Sequence, residues 1–373
     1  MSLYETAASV RKIIVWGILG LLALLLLVVL FNFLRDLYRQ INPPPVSPPT
    51  AGFGKLPALH LPALPIKGTP SYFLETATGE LPTFPDRAEV VAMQEIKITP
   101  LGEQRAKELA KKFDFGGEGE LSADKKAVIF KDVVDKRTLT VNLTSQNFTL
   151  TTDITHIQTT IPKGSALTGG EVIKEAQEFL NRNGLLKGGF GEGRQATQAH
   201  KVEGGGVKDA ISVSEGQFTR VDFFRNLTGV SANSFSILPP KPQIGLIQVW
   251  ITSGLKPEIN NILYLSYTMW EINKEKVETY PLRPVAEAWE EVKKGRGVAE
   301  VLLQGTSPLD PYTPLTLKTV SIRKVELAYF DDPLWQKYLQ PIYVFTGSAK
   351  TDDGKDTTFV TYTSAISTSW IQP

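Results

Sequence analysis

The longest run of apolar residues extends from Ile13 to Leu34 and contains no charged side chain. A helix of this length is roughly 33 Å long, which is enough to cross the hydrocarbon core of a bilayer. Because it is apolar on every side, it has no face suited to water. The run is also longer than the apolar region of a signal peptide, and no small-residue cleavage site follows it. The pattern therefore predicts an uncleaved transmembrane helix over residues 13–34.

Aromatic and basic side chains flank this segment, as is common at membrane interfaces. The predicted interfacial anchors are Trp16, Arg35, Tyr38 and Arg39. Small residues that would let a second helix approach closely are Gly17, Gly20 and Ala23. A short tail precedes the segment and a large region follows it. We therefore expect a plasma-membrane protein with residues 1–12 in the cytoplasm and the C-terminal region outside.

Residues 35–70 are predicted to form a juxtamembrane stalk. Proline recurs from Asn42 to Pro70, and proline excludes a helix or a central strand. The second half also contains apolar residues that a spacer does not need, namely Leu56, Leu59, Leu61, Leu64 and Ile66. We expect the first half to act as a spacer and the second half to pack onto the folded region.

Beyond the stalk, apolar residues at helical spacing predict three helices. These cover residues 100–113, residues 170–183 with Gly184 as C-cap, and a segment that begins after Pro281 and ends at Gly295. The second helix has the clearest buried stripe, formed by Val172, Ala176, Phe179 and Leu180.

Alternating apolar and polar residues predict the strands. The predicted strands cover residues 89–98, 137–144, 148–150, 218–225, 244–252, 262–272, 317–329, 341–346 and 357–366. In the strand 317–329 the alternation changes phase at Arg323-Lys324, which indicates a β-bulge or two separate strands. The segment from Leu186 to Gly206 is rich in glycine and is predicted to be a loop.

The order of these elements predicts an α+β fold in which a helix packed on an antiparallel sheet is repeated two or three times. The predicted divisions are a cytoplasmic tail (1–12), a transmembrane helix (13–34), a Pro-rich stalk (35–70) and three α+β units (71–158, 159–240 and 241–373).

Short matches connect the units. The matched residues are Glu175-Ala176 with Leu180, Glu287-Ala288 with Val292, and Thr219–Phe224 with Arg323–Ala328. Together with Tyr338–Phe345, this pattern resembles PepSY-type units and the extracytoplasmic YycH and YycI proteins over residues 162–366. The resemblance implies a bacterial protein with a single N-terminal anchor, in a family that includes regulators of a sensor histidine kinase. It implies no functional residues, because the matched positions have the pattern of core.

Composition excludes several classes of function. Lysine and arginine number 40 against 39 acidic residues, a net charge of +1, which gives no electrostatic basis for binding nucleic acid. The chain has no cysteine, so disulfides, thiolate metal sites and cysteine nucleophiles are excluded.

Motifs for chemistry are absent from the sequence. The 3 histidines lie far apart and form no zinc motif. Gly189–Gly193 lacks the spacing of a phosphate loop, and Asp352–Asp356 is too short for an EF-hand and predicts a hairpin turn. Asp331 and Asp332 are predicted to be solvated loop charges. No catalytic residue, cofactor or metal site is predicted.

One loop stands out as a contact surface. It contains Leu334, Trp335 and Tyr338, and aromatic residues of this kind are enriched where proteins meet. We expect a membrane-anchored, extracytoplasmic binding protein that modulates a membrane or cell-envelope partner without catalysis. The alternative is a structural envelope protein whose stalk spans the wall. A third interpretation is an envelope hydrolase with a cleft that holds paired carboxylates or an activated serine.

Overall fold

A computed structural model describes residues 16–17, 21–22, 24–35, 48–96, 100–227 and 235–372. The chain divides into two compact units, Met1–Pro49 and Thr50–Pro373. In the first unit, residues 24–35 are helical. No helix within the described residues combines the length and the apolar character that crossing a membrane requires. The transmembrane helix over residues 13–34 stays a prediction.

The second unit contains two β-sheets. The strands of the nine-stranded sheet are β3 (Glu120–Leu121), β4 (Ala127–Asp132), β5 (Arg137–Asn142), β6 (Phe148–Thr152), β7 (Gln195–Glu203), β8 (Gly206–Asp209), β9 (Phe218–Phe223), β11 (Ile247–Ile251) and β12 (Ile262–Tyr267). All neighbours in this sheet are antiparallel, in the order β3-β4-β5-β6-β12-β11-β9-β7-β8.

Helices cover one face of this sheet. They are α1 (Gly102–Lys112) and α3 (Gly169–Arg182), whose buried residues share one apolar cluster. The shorter helix α2 (Ile154–Thr160), which follows β6, packs in a separate cluster with Val202 and Phe218. The stripe predicted for α3 is buried against the strands, with Val172, Ala176 and Leu180 in one apolar cluster with Val221 and Val249. Burial of this stripe holds the helix on the sheet, because short helices gain most of their stability from packing.

The strands of the eight-stranded sheet are β1 (Ser71–Leu74), β2 (Arg87–Met93), β10 (Ser236–Leu238), β13 (Ile272–Pro281), β14 (Val298–Leu303), β15 (Leu317–Phe330), β16 (Tyr338–Thr351) and β17 (Asp356–Ser364). The main order in this sheet is β1-β15-β16-β17-β14, to which β10, β2 and β13 are joined. Helix α4 (Val285–Val292) packs on it through Ala288 and Val292. Two short 3-10 helices, Glu258–Asn261 and Thr368–Trp370, complete the described elements.

The segment 50–70, termed the arm, packs onto the second unit as the sequence predicts. Leu56 has no exposed surface, and Leu59, Leu61, Leu64 and Ile66 are half-buried against the sheet clusters. Backbone bonds also hold the arm: the Leu56 N–H donates to the Trp370 C=O at 2.8 Å.

The α+β fold class predicted from the sequence is confirmed. The bulge predicted in the strand 317–329 is also present, as a register shift between Ile322 and Lys324. Each sheet takes strands from all three of the segments 71–158, 159–240 and 241–373. The division into repeated units stays a prediction. The loop predicted over 186–206 is wrong in its second half, which forms β7.

Candidate functional site

Strand β14 is the last strand of the main order in the eight-stranded sheet, and no described strand pairs with its outer edge. Among the described residues, other backbone groups bond to this strand's outer edge only at its two ends. The Leu64 N–H of the arm donates to the Val298 C=O at 2.9 Å, and the Thr306 N–H donates to the Leu303 C=O at 3.1 Å. A cavity of about 500 Å³ lies against the strand and is termed the edge cavity.

The lining of the edge cavity is mainly apolar. The arm, β14 and the loop 304–316 all contribute, and the side chains include Pro62, Leu64, Val301, Leu303, Tyr312 and Leu315. Cavities of about 300–1,000 Å³ with an apolar lining and a few polar groups are the usual form of small-molecule sites. The edge cavity has this form.

Glu300 is the acidic residue on β14 that lines the cavity, and it is only 9% exposed. Its Oε1 atom accepts hydrogen bonds from Gln243 Nε2 at 2.8 Å and from Thr358 Oγ1 at 3.1 Å. Its Oε2 atom accepts none from the described residues. Burial raises the pKa of this carboxyl, and the two hydrogen bonds oppose the rise only in part. The second oxygen is therefore the one available to a ligand.

The other charged residues that line the cavity are engaged elsewhere. Lys241 Nζ donates to the Pro308 carbonyl at 3.5 Å, and Asp310 Oδ1 lies 3.2 Å from Lys208 Nζ. Neither contact involves Glu300. The carboxyl of Glu300 thus has two neutral donors and, within the described chain, no cation at hydrogen-bond distance.

A second polar cluster lies beside the loop 304–316. His200 is fully buried, and its Nδ1 atom lies 3.1 Å from Asp209 Oδ1. Burial acts to raise the pKa of Asp209, but the neighbouring side chains of His200 and Ser307 outweigh it and lower that pKa. The ring of His200 also stacks on Phe218 at 5.6 Å. No group of three or more metal-ligating side chains occurs among the described residues.

The prediction that Asp331 and Asp332 are solvated loop charges is wrong, because the two residues are only 1% and 7% exposed. Asp331 Oδ2 lies 3.2 Å from Arg225 Nε, and Trp270 Nε1 donates to the Asp332 carbonyl at 3.2 Å. Both contacts join the end of β15 to segments that follow strands of the nine-stranded sheet. The Arg225–Asp331 ion pair and the Trp270 hydrogen bond therefore connect the two sheets.

The three residues of the predicted contact surface do not lie together on the surface. Leu334 is 71% exposed and Trp335 is 37% exposed. The indole N–H of Trp335 donates to the carbonyl of Gln94, which lines a second, more polar cleft of about 500 Å³. Tyr338 is buried and its ring stacks on Phe53 at 4.7 Å. Leu334 and Trp335 remain available to a partner, whereas Tyr338 belongs to the core.

The predicted membrane residues are only partly described. Trp16, Gly17 and Arg35 lie in helical segments and are exposed. The predictions for Gly20, Ala23, Tyr38 and Arg39 lie outside the described residues.

Sequence reasoning missed the edge cavity because it missed β14. The strand reads Val-Ala-Glu-Val-Leu-Leu, a short apolar run with one acidic residue. Glu300 is the feature of the sequence that could have indicated the site, because a charged residue within an apolar strand needs a structural or functional reason.

Comparison with known proteins gives little further guidance. No protein-family model matches the chain, and no curated protein matches it. A solved structure of an uncharacterized protein from Eubacterium rectale is similar over 74% of this chain and 82% of its own, with 10% sequence identity and a TM-score of 0.32.

Proposed function

We propose that the chain is a non-catalytic binding protein, held by one N-terminal transmembrane helix with its folded region outside the cell, that modulates a membrane or cell-envelope partner. In this proposal the nine-stranded sheet with its packed helices and the eight-stranded sheet with α4 are PepSY-like units of the kind suggested by the resemblance to YycH and YycI proteins. The proline-rich segment before the arm acts as the spacer from the bilayer.

The edge cavity is the observation that carries the proposal. It combines a mainly apolar lining with the carboxyl group of Glu300, whose described hydrogen-bond partners are an amide and a hydroxyl. The second acid in the lining, Asp310, lies 3.2 Å from Lys208. General acid–base catalysis needs a positioned group whose pKa suits proton transfer to a reacting atom, and hydrolysis by paired carboxylates needs a second acid. A carboxyl in a mainly apolar cavity, where the other acid is paired with a lysine, serves recognition better than hydrolysis.

Photo-crosslinking in intact cells tests this function. The probe p-benzoylphenylalanine replaces Leu21 in the membrane segment, Tyr312 at the edge cavity or Trp335 in the exposed loop, one at a time. Val134, which is 83% exposed at a distant turn, is the control position. We expect one dominant membrane or envelope protein at one of the three positions and none at Val134.

Crosslinks only to wall polymer or to the chain itself would contradict a modulating role and favour the structural envelope protein. The absence of cysteine provides a separate test of orientation. A single Ser145→Cys variant should react with a membrane-impermeant maleimide in intact cells. Labelling only after lysis would overturn the extracytoplasmic placement.

A further inference from the structure

Glu300 presents an unusual combination of burial and partners. A carboxylate that is 9% exposed loses most of its hydration, and such groups are normally compensated by a cation or by several donors. Here both protein donors share Oε1, while Oε2 accepts no hydrogen bond from the described residues. The position of Glu300 in the cavity lining leaves Oε2 as an acceptor for whatever occupies the cavity.

The other residues that line the cavity indicate what chemical character the rest of the ligand should have. Most of the other side chains that line the cavity are aliphatic or aromatic, among them Leu64, Leu302 and Tyr312. Removing apolar surface from water is favourable, so an apolar body is favoured there. A positively charged donor next to Oε2 would provide the missing counter-charge, and hydrogen bonds between charged groups are about twice as strong as neutral ones.

The ends of β14 decide between a small molecule and an extended peptide. A peptide that added to this edge as a strand would need the outer carbonyls along its length. The Val298 carbonyl is taken by the arm and the Leu303 carbonyl by Thr306, so both ends of the edge are closed by the chain itself. A compact occupant fits the remaining space, whereas a strand that continues past both ends does not.

We propose that the edge cavity binds a small amphiphilic amine, with its apolar body against β14 and its ammonium group donating to Oε2 of Glu300. This inference rests on the binding role proposed above and gives that role a ligand class. It concerns binding to the isolated protein. The isolated protein can therefore fail to bind an amine although a partner is crosslinked in cells. It can equally bind an amine although no partner is crosslinked.

The test compares phenethylamine with 2-phenylethanol and 3-phenylpropionate, which share an aryl-alkyl body but differ in charge. Binding is measured by calorimetry on the full chain in lipid nanodiscs, with empty nanodiscs subtracted. We expect the amine to bind about 10- to 100-fold more tightly than the alcohol, which is the range for a hydrogen bond to a charged group, and the carboxylate to bind most weakly.

Three variants make the test specific. Glu300→Gln keeps an acceptor for Gln243 and Thr358 but removes the charge, so the preference for the amine should disappear. Glu326→Gln changes a solvent-accessible glutamate in the same sheet and should leave the preference intact. Leu303→Trp fills the cavity and should abolish binding of the amine and the alcohol alike.

Two results would overturn the proposal: an amine that binds wild type no more tightly than the alcohol, or a preference that persists in Glu300→Gln. If Glu300→Gln fails to fold, the wild-type ligand series and Leu303→Trp decide the question. Amine binding that survives in Leu303→Trp would place the site elsewhere.

Discussion

Arg225 and Asp331 form an ion pair that is enclosed by the protein, with 0% and 2% of their side chains exposed and 3.2 Å between Nε and Oδ2. Arg225 lies just after β9 of the nine-stranded sheet, and Asp331 directly follows β15 of the eight-stranded sheet. Burial raises the pKa of Asp331, the charge of Arg225 opposes the rise, and Asp332 adds to it. The pair therefore joins the two sheets, and its formation depends on both being in place.

Replacing one member of this pair should lower the free energy of unfolding more than replacing both. Asp331→Ala leaves the guanidinium buried without a counter-charge and should lower the free energy of unfolding by about 3–5 kcal/mol. The double variant Arg225→Met with Asp331→Leu should be close to neutral, because no charge stays buried. Urea unfolding of the full chain measures both.

Asp356→Ala is the control for that comparison. Asp356 faces Lys350 at 3.8 Å on the surface, and such pairs contribute about 0–1 kcal/mol. A double variant as unstable as Asp331→Ala would show that the geometry of the pair, rather than the unpaired charge, is what stabilises the junction.

The raised pKa of Glu300 predicts a pH-dependent stability. The folded state favours the protonated carboxyl, so its contribution is fully present below the unfolded pKa of about 4.3 and is lost as pH rises through the higher folded pKa. Glu300→Gln imitates the protonated form. Its free energy of unfolding should therefore increase relative to wild type as pH rises from 4 towards neutrality.

Equilibrium unfolding of wild type and Glu300→Gln at a series of pH values checks this direction, with Glu326→Gln as control. Groups near Glu300 that could modify the profile are Gln243, Thr358, Lys241, Asp310 with Lys208, and Tyr362. A constant difference across this pH range would contradict the burial of a titrating carboxyl.

Gly297 and Gly305 separate backbone strain from steric clash. Both have a positive φ, +72° and +84°, which costs any other residue about 1 kcal/mol. A Cβ atom at Gly297 would also collide with the carbonyl oxygen of Tyr362, whereas nothing lies within 4 Å of one at Gly305. Gly297→Ala should therefore cost about 1–3 kcal/mol more than Gly305→Ala in urea unfolding. Equal costs would mean that β17 moves aside freely.

The arm should contribute to stability through Leu56. This side chain has no exposed surface. Leu56→Ala removes three buried carbons and should lower the free energy of unfolding by about 2–5 kcal/mol. The matched control is Leu334→Ala, because Leu334 is 71% exposed and its truncation should change stability by less than about 0.5 kcal/mol. Thermal unfolding of the two variants compares them directly. Similar melting temperatures would indicate that the arm is only loosely attached.

Much of the fold follows from local sequence pattern. The stripe of α3 and the bulge of β15 were both predicted, because each depends on the spacing of nearby residues. β7 was missed because Gln195–Glu203 alternates poorly: half-buried polar and small residues occupy positions where apolar ones mark other strands.

The site was harder to predict because its contacts connect distant parts of the chain. Asp331 looks like a solvated loop residue until Arg225, far away in the sequence, is placed beside it. Glu300 likewise gains its meaning from Gln243 on another segment. The local pattern predicts strands, but it does not predict which strand lies beside which loop. The edge cavity forms where β14, the arm and the loop 304–316 meet, so it could not be predicted from the local pattern.

The order of the strands along the chain has a consequence during synthesis. All strands of the nine-stranded sheet lie between Glu120 and Tyr267, whereas β1 and β2 precede them and pair with β15 and β13, which follow. A nascent chain can complete the nine-stranded sheet first. At about 5–20 residues per second, roughly 10–50 s separate the synthesis of β1 from that of its partner β15, and the backbone of β1 lacks this partner during that time. Among the described strands, β1 and β2 are thus the ones that stay longest without their partners during synthesis, and their unpaired edges are exposed to incorrect pairing until β13 and β15 are made.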